Sequence, residues 1–171
     1  TAPTVSSISP SNNQSWISIT DNISVTFSEA MDNTSVTSNT SSKSCSGAIQ
    51  LSSDNFSSCI QMSSSPSSSN SEKTFTIDPS DNLTYFTTYK IRVTTGVKDS
   101  AGNTLVSQYE TSNGFKTLGV FVAVGSSGNI VISTDNGSSF DNSTSGTTNH
   151  FLGITYDNGS FTAVGYPGMI R

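Results

Sequence analysis

Apolar and polar residues alternate along much of this chain, and the alternation predicts strands. In Ile23-Ser24-Val25-Thr26-Phe27 the three apolar side chains share one face, because successive side chains of an extended segment point to opposite sides. Tyr89-Lys90-Ile91-Arg92-Val93 repeats the pattern with Tyr89, Ile91 and Val93 inward, and Thr74-Phe75-Thr76-Ile77 repeats it again before Asp78-Pro79 ends the run. Thr4 to Ser9 reads as a first strand stopped by Pro10, and Phe115-Lys116-Thr117 as a last one; 48–51 and 60–62 carry weaker signals. Helical periodicity is nearly absent, and Ser28 to Met31 is long enough only for a turn. About seven short strands before residue 118 predict an all-β, two-sheet antiparallel sandwich. Residues 63–71, SSSPSSSNS, have nothing apolar to bury and are expected to form a mobile loop.

The texture changes after Leu118. Strands are predicted at 120–124, 130–133, near Phe140, at 152–156 and at 161–164, with a turn at Asp157-Asn158-Gly159, because an Asn-Gly pair suits the positive φ angles of a type I′ hairpin. FVAVGSSGNIV at 121 and FTAVGYPGMIR at 161 share Phe, Ala, Val, Gly, Gly and Ile at matching places, a spacing of 40 (161 − 121). That is close to the ~40–45-residue period of four-stranded propeller blades.

Composition narrows the functional classes. Only 11% of residues are charged, against about 25% in ordinary domains, and Ser, Thr, Asn and Gly take their place. Hydroxyl side chains satisfy the wet face of a strand without charge. The net charge of −5 and the scatter of Lys43, Lys73, Lys90, Arg92, Lys98, Lys116 and Arg171 argue against nucleic acid as a partner, which needs clustered cations. No apolar run approaches the ~20 residues of a membrane helix, so no membrane insertion is expected.

Cys45 and Cys59 read as a disulfide in so hydroxyl-rich and lysine-poor a chain, closing a loop worth roughly 3 kcal/mol in the chain-entropy model; two buried reduced thiols are the other reading. Two cysteines and the single histidine, His150, do not make a four-ligand zinc set. A disulfide favours an extracellular or cell-surface location. Asp99-Ser100-Ala101-Gly102-Asn103 is either an Asx-stabilised turn or, with Asp99 and Asn103 as oxygen donors, a candidate calcium site; Asp135 and Asp141 form a second, weaker candidate. No other cofactor is expected. Gly125 to Asn129 has no following lysine or helix and reads as a hairpin turn, not a phosphate cradle. Trp16 is a candidate for a binding patch or for the core rim, and the Asn-x-Ser/Thr triplets at Asn22, Asn33, Asn55 and Asn82 follow from the composition.

PTVSSISPSNN, ISVTFSEAMDNTSV, LTYFTTYKIRVTTGVKDSAGNTL and FKT together resemble the bacterial Ig-like module of surface-layer and other cell-surface proteins, over residues 3–117. The resemblance implies a seven-stranded Greek-key sandwich. Independently, Tyr89 stands where a tyrosine corner would start the sixth strand and tie its hydroxyl to upstream backbone. Two residues on stands Ile91, so the inter-sheet disulfide of antibody domains is missing.

STDNGSSF, 133–140, resembles the Asp-box of sialidase-type propeller repeats, a structural motif that locks a blade hairpin. There Asp135 should bind the amides that follow it, Ser133 open the motif, Gly137 supply positive φ and Phe140, where that family commonly has Trp, pack inward. One repeat and a fraction cannot close a ring of roughly 4–8 blades. The expected organisation is an Ig-like sandwich over 1–118, then incomplete Asp-box repeats over 119–171, cut from a longer protein and marginal when isolated. Sialidase-type chemistry would need an arginine cluster and a Tyr–Glu pair, and the chain has two arginines. No serine sits in a nucleophile elbow beside His150. The expected function is therefore a non-enzymatic spacer or adhesion unit whose partner is an extracellular protein or glycan. The alternatives are an accessory module of a carbohydrate-active enzyme and a calcium-binding surface module.

Overall fold

A computed structural model describes the backbone of residues 1–157, 160–166 and 169–170. The predicted turn residues Asn158 and Gly159, and Arg171, lie outside the described residues. The chain divides into two compact units, Thr1–Thr117 and Leu118–Arg171. Among the described residues there is no α-helix, hence none long and apolar enough to cross a membrane.

The first unit holds β1 (Val5–Ser9), β2 (Ile23–Phe27), β3 (Ile49–Ser52), β4 (Ser67–Ser69), β5 (Thr74–Ile77), β6 (Thr88–Val93), β7 (Tyr109–Glu110) and β8 (Phe115–Lys116). They form two antiparallel sheets. One has the order β1-β2-β5-β4; in the other, β3, β7 and β8 all pair with β6. β7 meets β6 at Arg92 and Val93, and β8 meets it at Thr88 and Tyr89, so the two are halves of one edge strand. With that strand counted once, the sheets are the four-plus-three arrangement of a seven-stranded Ig-like sandwich. A parallel bridge from Ile17 to Thr117 ties the segment after β1 to the end of this last strand.

Alternation places the core. Ile23, Val25 and Phe27 of β2, Phe75 and Ile77 of β5, and Tyr89, Ile91 and Val93 of β6 are all nearly inaccessible. Phe27 meets Phe75 edge to face at 6.0 Å, and Tyr89 lies over Phe115 at 5.8 Å. β3 is buried on both faces: Gln50 donates to the carbonyls of Cys45 and Gly47, and Ser52 Oγ to Asp54 Oδ1, so the polar side of the strand is covered by the segments that precede and follow it.

Two expectations are corrected. Ser67–Ser69 is not a loop but strand β4, paired with Thr74–Thr76 of β5. Its three serines are exposed, and the ladder, not burial, holds it. Residues 60–62 are not a strand: Ile60 donates to Leu51 and Met62 to Asn39 in an irregular connection, with one bridge from Met62 to Pro79.

The second unit holds two three-stranded antiparallel sheets. β9 (Phe121–Val124), β10 (Ile130–Ser133) and β11 (Asp141–Ser143) form one; β12 (His150–Asp157), β13 (Ser160–Tyr166) and β14 (Met169–Ile170) form the other. A 3-10 turn at Ser126–Gly128 joins β9 to β10, so Gly125 to Asn129 is a hairpin connection. The 40-residue offset persists in three dimensions: Val124 pairs with Ile130, and Val164 with Ile170.

Candidate functional site

The Cys45–Cys59 disulfide is formed, with Cα atoms 5.0 Å apart. It closes the loop that leaves β3, and inside that loop lies a turn that sequence reasoning missed. Ser52 Oγ donates to Asp54 Oδ1 at 2.8 Å and accepts from the Phe56 amide at 2.9 Å; Asp54 also accepts from the Ser58 amide at 2.9 Å and the Ser58 hydroxyl at 2.6 Å. In the second unit, Ser133 Oγ donates to Asp135 Oδ1 at 2.7 Å and accepts from the Gly137 amide at 2.8 Å; Asp135 accepts from the Ser139 amide at 2.9 Å and the Ser139 hydroxyl at 2.6 Å.

These are one device built twice, from SSDNFSSC at 52–59 and STDNGSSF at 133–140. The shared signal is Ser-x-Asp-Asn-x-Ser-Ser. It escaped notice because Phe56 stands in the glycine position and Cys59 in the aromatic one. Both turns need left-handed backbone: Asn55 and Phe56 have φ of 59° and 65°, Asn136 and Gly137 of 63° and 84°. In both, the carboxyl is lowered to about 2, chiefly by the hydroxyl of Ser58 or Ser139, then by that residue's amide, then by the hydroxyl of Ser52 or Ser133.

The tip of the first turn rests on β6. The Arg92 guanidinium lies 3.6 Å from the Phe56 ring centroid, and Arg92 Nε and Nη2 both donate to Glu110 Oε2, at 3.1 and 3.0 Å. Lys90 Nζ donates to Asn55 Oδ1 at 3.1 Å. The two basic residues of β6 thus hold the turn and the edge strand together. In the second turn, Phe140 does not pack inward as expected. It is 49% exposed, since it leads into β11, the outer strand of its sheet.

Tyr89 is buried on β6, and its hydroxyl accepts from the Thr84 amide at 2.9 Å. Asp99 is buried and accepts from the amides of Ala101 and Asn103 and from Asn103 Nδ2, all within 2.9 Å. Those bonds, Asn103 Nδ2 first, lower its carboxyl below the usual range. These bonds close the 99–103 turn. Among the described residues no three His, Cys, Asp or Glu side chains converge on a metal position. His150 opens β12, and its Nδ1 accepts from the Ser127 amide at 3.4 Å. Trp16 is 52% exposed at a φ of 62°, outside the core. The grooves beside Val5 and Tyr109, beside Asn13 and Phe115, and between the sheets of the second unit are lined by no carboxylate, histidine or cysteine.

A four-plus-three antiparallel sandwich with a buried tyrosine anchoring its sixth strand defines an Ig-like module. Residues 1–117 match the bacterial Ig-like domain family, and the chain belongs to it. Solved structures similar to the chain include an S-layer protein, rSbsC(31-844), at 17% identity and a TM-score of 0.46 over 99% of this chain and 25% of that one. The N-terminal part of the bacterial S-layer protein SbsC is similar at 16% identity and a TM-score of 0.48, over 99% of this chain and 42% of that one. The chain therefore spans less than half the length of these structures. No curated protein matches it.

Proposed function

We propose that this chain is a non-catalytic module of a larger bacterial cell-surface or secreted protein. In this reading the Ig-like sandwich, residues 1–118, is a spacer or adhesion unit, and 119–171 opens a series of Asp-box propeller blades. The observation that carries the reading is where the carboxylates point. Asp54, Asp99 and Asp135, the acids held below the ordinary range by several donors each, spend their oxygens on amides and hydroxyls of their own turns. Such groups stiffen loops, and their oxygens are not free to serve as a general acid or base. The family and the disulfide support the location, since bacterial Ig-like modules of this kind occur outside the cytoplasm and disulfides persist in oxidising compartments. The blade reading is supported by aligning the strand orders of the two sheets at the 40-residue offset. β9 then falls on β13 and β10 on β14, while β12 on one side and β11 on the other complete a four-stranded unit.

The partner in this reading is an extracellular protein or glycan. Immunolabelling of intact producing cells tests it. Surface label removed by external protease is expected; label that appears only after permeabilisation would overturn the location and, with it, the spacer role.

A further inference from the structure

Lys116 comes 24 residues after Arg92 (116 − 92), yet the fold sets both on one face. On β6, Thr88, Lys90 and Arg92 alternate with the buried Tyr89, Ile91 and Val93, so they turn away from the core, ~6.7 Å from one to the next. Lys116 of β8 pairs with Thr88 and shares its side. Three of the seven cations of a chain with net charge −5 therefore stand on one outer face. Glu110 answers two of them, Arg92 at 3.0 Å and Lys90 at 3.8 Å. Among the described residues no carboxylate forms an ion pair with Lys116.

Lys116 is flanked by the two exposed aromatic side chains of the first unit, Trp16 and Phe86. Its Nζ lies 4.5 Å from the Phe86 ring centroid. Its amide donates to the Gln14 carbonyl at 2.8 Å and its carbonyl accepts from the Ile17 amide at 3.1 Å, so Ser15 and Trp16 bulge opposite it. A bulge re-aims a side chain. Trp16 and Phe86 have φ of 62° and 56°. Bulky residues keep such a backbone only where their surroundings impose it, and these positions collect at ligand sites. Beside Lys116, a cleft of about 170 Å³ is lined by Asn13, Gln14, Ser15, Thr88 and Asn113, amides and hydroxyls that offer donors and acceptors without charge.

We propose that this face binds an acidic polysaccharide, a chain of pyranose rings that carry carboxylates. The flat C–H side of a sugar ring packs on Trp16. The amides of the cleft meet its hydroxyls, and Lys116, held by Phe86, meets its carboxylate. Charge complementarity selects an acidic ligand, and the uncharged cleft selects one that also carries hydroxyls. A nucleic acid strand, with a phosphate at every step, calls for more cations than three set against Glu110. The proposal deepens the surface-module reading and rests on it for a glycan within reach. Binding is measured on the purified chain, so its failure and a failure of cell labelling are read separately.

Trp16 is the single tryptophan, so its fluorescence reports the site directly. Acrylamide should quench it freely in the full chain. Titration with hexagalacturonate should shift its emission to saturation, with a midpoint that rises with salt. Cellohexaose, which lacks carboxylates, and oligothymidylate should bind at least about tenfold more weakly. Lys116→Gln should raise the hexagalacturonate midpoint about tenfold, the loss of one charge-assisted contact. Lys43→Gln, an exposed lysine outside the face, should leave it unchanged. Should Lys116→Gln lose the parent's far-ultraviolet dichroism, Lys90→Gln reads the same face. A Trp16 already shielded from acrylamide, an emission that hexagalacturonate does not shift, equal binding of cellohexaose or oligothymidylate, or equal weakening by Lys43→Gln would each overturn the proposal.

Discussion

Phe56 occupies a backbone conformation that suits glycine, and its ring stacks under Arg92. A non-glycine residue in the left-handed region costs roughly 1–2 kcal/mol, while burying a phenylalanine gives back about 1.5–3 kcal/mol. Packing therefore outweighs strain. Phe56→Ala should lower stability by about 2–3 kcal/mol, and Phe56→Gly by about 1 kcal/mol less, because glycine relieves the strain. Urea midpoints of the two variants settle the order, and an alanine variant at least as stable as the glycine one would show that strain plays no part. Gly114 carries the opposite constraint. Its φ is 73°, and a Cβ would run into the Tyr89 carbonyl oxygen, a backbone atom that cannot move aside. Gly114→Ala should cost roughly 2–4 kcal/mol, in the range of strain at a special backbone site, read as a drop in melting temperature with the fold retained.

At the scale of elements, the twin Asp turns link stability to acid. Because the folded carboxyls of Asp54 and Asp135 sit at about 2, below the ordinary aspartate value of about 3.9, folding favours their ionised forms. Their contribution is whole above that ordinary value and disappears as pH falls through it towards about 2. Thermal melts from about pH 5 to about pH 2 should therefore show a decline that Asp54→Asn flattens for the sandwich and Asp135→Asn for the second unit. An unchanged slope in both variants would place the acid response elsewhere. The disulfide is the other staple of the first turn: reduction should cost about 3 kcal/mol in the chain-entropy model. Amide exchange should quicken first at Phe56 and Ser58, which donate into the loop that Cys45 and Cys59 close.

Strands with regular alternation were legible in the sequence, since a period of two is a local property. β2, β5 and β6 lie where Ile23, Phe75 and Tyr89 place them. The second Asp turn was legible too, because Gly137 marks it. The first was not. Phe56 looks wrong for a left-handed position until Arg92, 36 residues later (92 − 56), is seen to cover its ring.

For the whole molecule, burial is uneven. The first unit closes one continuous core, whereas of the second only Gly119, Gly128, Ser133, Phe151 and Ala163 are buried among the described residues. Amide exchange should show the β2, β5 and β6 ladders opening only with global unfolding, and the β9–β13 ladders exchanging through cheaper local openings. Equal protection in both units would mean that the second unit is held by more than its own packing. What the sequence by itself determined is what neighbours along the chain decide: alternation, turn residues, the 40-residue period and the scarcity of charge. Only the tertiary structure decided that three serines form β4, that Thr111 to Gly114 split the last strand, and that Phe140 lies on the surface. The partners of the split, Ile91 and Asn12, are remote in sequence, and the surface place of Phe140 reflects a missing covering layer; β4 pairs with the next strand, but serines carry no alternation that would mark it.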